Sequence, residues 1–272
     1  MLTCAITGSK GVLGSKLKKK IPLKFYEFHG NILNKKKVNQ WIQKKDFDIL
    51  IHLAALVPTN LVNKNYKKAY EVNVIGTNNL INSLIKKENK PKWLFFSSTS
   101  HVYKPLDKFK KISEKSKLDP ASKYGKTKIL AEKLILKKLK KYPIKVCIGR
   151  IFSFTEKKKK KPFIIPTIKK KLKNSKKKIV FKNINHFRDF LSTDDIISAI
   201  YILMKTSKFG IYNIGSGKKF DLRKIVKLFN KNNKDIVFRN TERPTYLISN
   251  NNKLLKTKWC PSKFKDNIKY FY

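Results

Sequence analysis

A short apolar run, Leu2-Thr-Cys-Ala-Ile6, passes directly into Thr7-Gly-Ser-Lys-Gly-Val-Leu-Gly14, and that junction limits the chain to few folds. The run reads as a buried strand, and the segment after it turns into a helix that begins around Gly11 to Leu13. Glycines let the backbone approach a bulky anion, while the helix start offers unpaired N–H donors and a partial positive charge. A dinucleotide pyrophosphate fits such a cradle. The spacing is Gly-x-x-Gly-x-x-Gly rather than the more familiar Gly-x-Gly-x-x-Gly, and it takes its weight from following a strand.

The same alternation continues along the chain. Apolar runs at 2–6, 24–28, 49–53, 93–97 and 145–149 read as strands. Helices are expected at 14–20, 35–44, 66–87, 120–141 and 193–206, with 222–230 in a C-terminal lobe. A chain of 272 residues can bury one α/β core with a small appended lobe. The fold class is therefore α/β, a Rossmann-like doubly wound parallel sheet with a small C-terminal lobe.

A second constellation carries the chemistry. In Asp119-Pro-Ala-Ser-Lys-Tyr-Gly-Lys-Thr-Lys128, Asp119 suits an N-cap and Pro120 a first helical turn, which stacks Tyr124 and Lys128 on one face. A phenol holds its proton to a pKa of about 10 unless a cation stabilises the phenolate. Lys128 can be that cation, and the pair then makes a tuned acid/base.

These segments resemble the extended short-chain dehydrogenases/reductases, specifically the NAD(P)-dependent nucleotide-sugar epimerase/dehydratase group. The resemblance runs in order through the glycine turn, His52-Leu-Ala-Ala55, Val72-Asn-Val-Ile-Gly-Thr-Asn-Asn-Leu80, Ser97-Ser-Thr-Ser-His-Val-Tyr103 and Tyr124-Gly-Lys-Thr-Lys128. It continues through Arg188-Asp-Phe-Leu-Ser-Thr-Asp-Asp195, Gly210-Ile-Tyr-Asn-Ile-Gly-Ser-Gly217, and Arg243-Pro244 followed by Asn252-Lys-Leu-Leu-Lys-Thr-Lys-Trp259.

That resemblance implies a division of labour. Residues 1–150 would form the NAD(P)-binding domain, with 186–206 returning to it, while 151–185 and 207–272 would form mainly the substrate lobe. Thr99, Tyr124 and Lys128 would be catalytic: Thr99 and Tyr124 on the reacting sugar oxygen, Lys128 on the nicotinamide ribose. Gly8, Gly11, Val12, Leu13 and Gly14 would hold the pyrophosphate, Leu53, Ala54 and Ala55 the adenosine side, and Asn73 would be structural or close to the cofactor. Beyond the second strand, Asn31 and Ile32 are cofactor candidates; Glu27 as a ribose acid and Asn31 facing the adenine both stay open, and so does NAD or NADP. Arg188 and Arg243 match positions that grip a nucleotide diphosphate, a task suited to the forked guanidinium; salt bridges to the adjacent Asp189 and Glu242 are the alternative. Ser153 stands where the family often has an asparagine.

The implied activity is that of an NAD(P)-dependent nucleotide-sugar epimerase or 4-ketoreductase. Dehydratases of the group follow the threonine with Asp-Glu, whereas this chain reads Thr99-Ser100-His101. His101 reads as a polar lining residue, with proton donation as the alternative. A non-catalytic NAD(P)-binding regulator or scaffold would be expected to have lost the tyrosine or the lysine, and both are present. Helices 66–87 and 120–141 occupy the positions through which relatives pair, so a homodimer is expected, with Leu80, Leu84, Leu130, Leu134 and Ile135 among the apolar residues on offer and Lys86, Lys87, Lys137 and Lys138 interleaved.

The charge needs an account of its own. Sixty-five Lys and Arg against 17 Asp and Glu give +48, which raises nucleic-acid binding as an alternative function. Lysine is spread over nearly every helix without an RNA-binding motif or arginine-rich arm, so compositional bias on solvated faces is the reading, with no specific nucleic-acid partner. The five lysines 157–161 fall in the expected substrate lobe, where a local role and plain loop solvation both stay open. Three cysteines suggest no disulfide framework. Neither a signal peptide nor a membrane-spanning run is expected, which points to the cytoplasm. The four histidines lack metal-ligand spacing, so no metal is expected.

Overall fold

In the computed structural model of the chain, residues 2–57, 59–156, 163–174 and 177–262 are described. The lysine run 157–161 lies outside them. Six parallel strands form the main sheet in the order Lys24–Glu27, Thr3–Thr7, Ile49–His52, Trp93–Thr99, Lys145–Ile151 and Gly210–Ile214. The order reverses between Thr3–Thr7 and Ile49–His52, so a crevice opens beyond their carboxyl ends, where ligands of such sheets bind.

Alternation along the strands builds two cores, one on each face. Cys4, Ile6, Ile49, Ile51, Trp93 and Phe95 point to helices Val12–Lys20 and Thr193–Lys205. Ala5, Leu50, Leu94 and Phe96 point to helices Lys35–Lys44, Gly76–Ile85 and Lys123–Leu139. The sheet is thus doubly wound and Rossmann-like. A separate apolar cluster, with Ile165, Ile168, Phe181, Phe190, Ile225 and Val226, packs helices Ile164–Leu172 and Leu222–Phe229 on the parallel pair Lys178–Lys182 and Asp235–Arg239. Among the described residues, no helix is long and apolar enough to cross a membrane.

Four expectations change in detail. Strand Trp93–Thr99 runs two residues beyond 97, because Ser98 and Thr99 pair with Arg150 and Ile151. The helix expected at 66–87 is three pieces: Tyr66–Tyr70, a π-helical turn at Glu71–Ile75, and Gly76–Ile85. Hydrophobic periodicity does not register such a turn, which here goes with an inward-facing, buried Asn73. The helix expected from Pro120 starts at Lys123, since Ser122 rather than Asp119 caps it, its Oγ accepting from Gly125 N at 3.0 Å. Finally, within 207–272, expected mainly in the lobe, Gly210–Ile214 joins the main sheet, and Leu254 and Trp259 follow it into the main core.

Candidate active site

A cavity of about 1190 Å³ lies at the carboxyl end of the sheet, walled by the lobe on its far side. Pockets for one drug-sized ligand run to roughly 300–1,000 Å³, and this one lies just above that range. Gly8, Gly11, Val12, Leu13 and Gly14 line one end. Gly8 adopts φ +73°, and a Cβ there would sit 2.7 Å from the Ala54 nitrogen. At Gly14 a Cβ would come within 2.4 Å of the Gly8 carbonyl oxygen. The turn therefore tolerates no side chain at either place. Gly11 caps helix Val12–Lys20 without a side-chain acceptor, and the first turn of that helix holds no acid. The cradle fits an anionic pyrophosphate, and Asn31, Ile32, Leu53, Ala54 and Ala55 extend the same wall.

At the other end, Thr99 closes its strand and lines the cavity with Tyr124, which stands one turn before Lys128 on helix Lys123–Leu139. Tyr124 and Lys128 are 8% and 2% exposed and both line the cavity. The Lys128 ammonium lies 4.0 Å from the centroid of the Phe96 ring. Burial lowers this lysine to about 7, with the charge of Glu132 opposing. Burial also pushes the Tyr124 phenol above its usual range, with Thr99 opposing. In the chain by itself, desolvation of the phenolate thus outweighs the stabilisation expected from Lys128.

Behind these groups lies a brace of neutral hydrogen bonds. His52 joins Thr7 Oγ1 at 2.6 Å and Thr77 Oγ1 at 2.9 Å, and burial and the Lys128 charge hold it neutral, at about 3. Asn73 accepts from the Leu56 N–H at 2.7 Å and donates to the Leu56 carbonyl and to Thr127 Oγ1. It sits behind the cavity wall rather than in it. Its place is to tie the 53–56 loop to the helix that carries Tyr124.

Arg188 and Ser153 line the lobe side. Arg188 Nη1 donates to the carbonyls of Phe187 and Thr245 at 2.8 and 2.9 Å, and burial lowers the guanidinium to about 10. Neither adjacent acid takes it. Asp189 turns into the core to accept from Ser216 and Ser249, and Glu242 accepts from Asn183 at 2.9 Å. Arg243 is exposed and outside the wall. His101, an exposed residue, lines the cavity with its ring 6.0 Å from that of Tyr124.

Sequence reasoning passed over Lys10, Phe28, His29, Lys182, Asn183 and His186, all of which line the cavity. Lys10 had a signal, since it stands inside the glycine turn. For the others, lobe closure over the sheet decides the matter. The described wall holds Lys10, Lys128, Lys182 and Arg188 but no Asp or Glu. Among the described residues there is also no group of three or more His, Cys, Asp or Glu placed to hold a metal.

A family profile described as GDP-mannose 4,6-dehydratase matches residues 6–265. The chain belongs to that family. Relatives similar to it include the dTDP-D-glucose 4,6-dehydratase of Dictyostelium discoideum, 32% identical over 209 residues, covering 73% of the chain and 47% of that protein. The UDP-glucose 4-epimerase of Lactobacillus helveticus is 29% identical over 215 residues, 71% of the chain and 63% of that protein. The chain thus spans about half to two thirds of the length of these curated relatives. Among solved structures, RMD from Pseudomonas aeruginosa complexed with NADPH superposes with TM-score 0.87 at 20% identity, covering 100% of the chain and 97% of that chain. MoeE5 in complex with UDP-glucose and NAD superposes with TM-score 0.83 at 18% identity, covering 98% and 96%. At these identities the superpositions establish the fold alone, the doubly wound sheet with its lobe.

Proposed function

We propose that the chain is an NAD(P)-dependent enzyme acting at a carbon of a nucleotide sugar, as an epimerase or a 4-ketoreductase. The observation that carries this reading is the meeting of Thr99, Tyr124 and Lys128 in one cavity with the glycine cradle. A bound nicotinamide supplies the hydride acceptor or donor. Tyr124, as phenolate, takes the proton of the sugar hydroxyl as the C–H bond gives up its hydride and the carbonyl forms; in the reverse direction its O–H returns that proton to the oxygen. Thr99 bonds the same oxygen and orients it. Lys128, when protonated, supplies the charge that favours the phenolate over the phenol that burial otherwise imposes. Arg188, held but not neutralised, suits one phosphate of a nucleotide diphosphate.

The chain is similar to dehydratases as well as to epimerases, and our reading against elimination of water rests on the cavity wall. Elimination requires an acid and a base on the sugar, and the described wall offers no carboxylate, while Ser100 and His101 follow Thr99. The test is to incubate purified protein with nucleotide sugars and their 4-keto derivatives, following nicotinamide absorbance and product stereochemistry. Epimerised or reduced product supports the reading. A 4-keto-6-deoxy product without either would make the chain a dehydratase, and no turnover with no dinucleotide binding would remove the enzyme reading altogether.

A further inference from the structure

Arg243 stays outside the cavity wall, yet the next residue but one, Thr245, reaches the arginine that belongs to it, Arg188. Strands Phe187–Arg188 and Tyr246–Leu247 run parallel, with Tyr246 opposite Phe187. Those two rings stack 4.5 Å apart on one side, and alternation turns His186 and Arg188 to the other, into the cavity wall. Thr245 joins the two by hydrogen bonds.

The direction of each bond follows from what its atoms can do. A guanidinium only donates. Arg188 Nη1 donates to the carbonyls of Phe187 and Thr245, and Nη1 and Nη2 both lie 3.2 Å from Thr245 Oγ1, which must accept. The threonine proton then goes to His186 Nδ1, 3.1 Å away. The Thr245 N–H also donates to Nδ1, at 3.2 Å, so that nitrogen carries no proton and the neutral ring is protonated on Nε2. Nε2 stands 3.7 Å from the Glu242 carboxylate, whose other oxygen accepts from Asn183 at 2.9 Å. Burial and the Arg188 charge lower the histidine, against Glu242, which keeps the Nδ1 lone pair available.

This one-way chain decides which edge of the guanidinium is left. The Nε–H and the second Nη2–H of Arg188 have no acceptor among the described residues. They lie parallel on one edge, at the spacing of two phosphate oxygens. Resting on the reading above that the cavity holds a nucleotide sugar, we propose that Thr245 and His186 are positioning residues for its diphosphate, fixing the plane of Arg188 so that the Nε–Nη2 edge meets one phosphate. Neither has to touch the ligand. A loose arginine would have to be ordered on binding, and the pair removes that cost beforehand.

The test is binding by the full chain, with NADH or NADPH, whichever binds more tightly, at saturation so that the glycine cradle is filled. UDP, dTDP and GDP are titrated by calorimetry, and the tightest becomes the probe. Thr245→Val keeps the shape and removes the hydroxyl; it should weaken the probe by at least about fivefold, the scale of one net hydrogen bond, while Thr245→Ser should lose less than about twofold. In an Arg188→Ala background the same Thr245→Val change should leave probe binding where it is, a result that general loosening of the lobe does not give. His186→Leu should match Thr245→Val, and the two together should lose no more than either. His186→Asn, which keeps an acceptor at the place of Nδ1, should lose less. All variants are checked for native circular dichroism. Parent-like binding by Thr245→Val, or the same loss with and without Arg188, would overturn the inference, and additive losses would overturn the part given to His186. If no nucleoside diphosphate binds while the dinucleotide does, the nucleotide-sugar reading falls first and this inference with it.

Discussion

Lys128 and Glu132 stand one turn apart on the buried face of helix Lys123–Leu139, yet Glu132 is gripped by Arg150, 2.7 Å away, and reaches the lysine only as a charge. The lysine gains or loses a proton near neutrality. Its pKa in the folded chain, about 7, is depressed below the ordinary lysine value, so folding favours the neutral amine. Between pH 7 and the ordinary lysine range the unfolded chain binds more protons at this position, and stability from this group rises with pH; it is lost as pH falls to about 7. Denaturant unfolding at pH 7 and 9 should show Lys128→Met, close in volume, gaining most over the parent at pH 7. An equal difference at both pH values would mean that the buried ammonium is not depressed.

The Glu132–Arg150 pair predicts a different kind of loss. Both side chains are nearly inaccessible, and Glu132 also accepts from the Ser98 hydroxyl while Arg150 donates to Tyr103 at 2.9 Å. Removing one partner leaves an uncompensated buried charge, which costs about 3–5 kcal/mol. Glu132→Ala should lower the unfolding free energy by that amount. The double variant Glu132→Leu with Arg150→Met should recover most of it, and a double variant no more stable than the single one would show that the network, not the stranded charge, sets the cost.

For Tyr124, substitution by phenylalanine removes the proton relay and keeps the ring packed on Val62 and Ala69. Turnover should fall by roughly a hundred- to ten-thousand-fold with dinucleotide affinity unchanged. Near-normal turnover would move the acid/base role elsewhere, with His101 first in line because its ring is the one beside the tyrosine.

The two arginines should separate. Arg188→Ala is expected to weaken nucleotide-sugar binding by about 1.5–3 kcal/mol, the scale of hydrogen bonds to a charged group. Arg243→Ala, at an exposed position outside the wall, should change it by less than about 1 kcal/mol. Calorimetry with a nucleoside diphosphate suffices for both, and equal losses would bring Arg243 into the site.

What could be read in advance was local. A strand running into Gly8, Gly11 and Gly14, and a tyrosine one helical turn before a lysine, are patterns within a dozen residues, and each fixes backbone geometry by itself. Three other features depend on distant partners. The π-turn at Glu71–Ile75 coincides with Asn73 bonding Leu56, Ser122 caps its helix where Gly125 presses on the His101 carbonyl, and Glu27 is withdrawn by Lys18 from the next helix face. The same holds for the Tyr124 pKa, whose direction is decided by how much protein surrounds the phenol and not by its spacing from Lys128.

Assembly is the last point at which packing revises the expectation. Leu80, Leu84 and Ile135 are fully buried against the sheet and cannot serve an interface, while partly buried Leu134 packs beside them. Lys87 is withdrawn as well, its ammonium 2.6 Å from Asp46. What the outer face of these helices does present is Leu130, with Leu61, Tyr70 and Ile75 on the neighbouring helical segments, each more than a third exposed. We expect these residues to meet their copies across a twofold axis in a homodimer, favoured by moderate salt because both faces carry lysine. Leu130→Asp should dissociate it, as measured by sedimentation, without lowering the unfolding free energy of the monomer. Monomer alone at every salt concentration from about 50 to 500 mM, a range that spans the screening regime, would refute the dimer and leave the +48 charge as the force that keeps the chains apart.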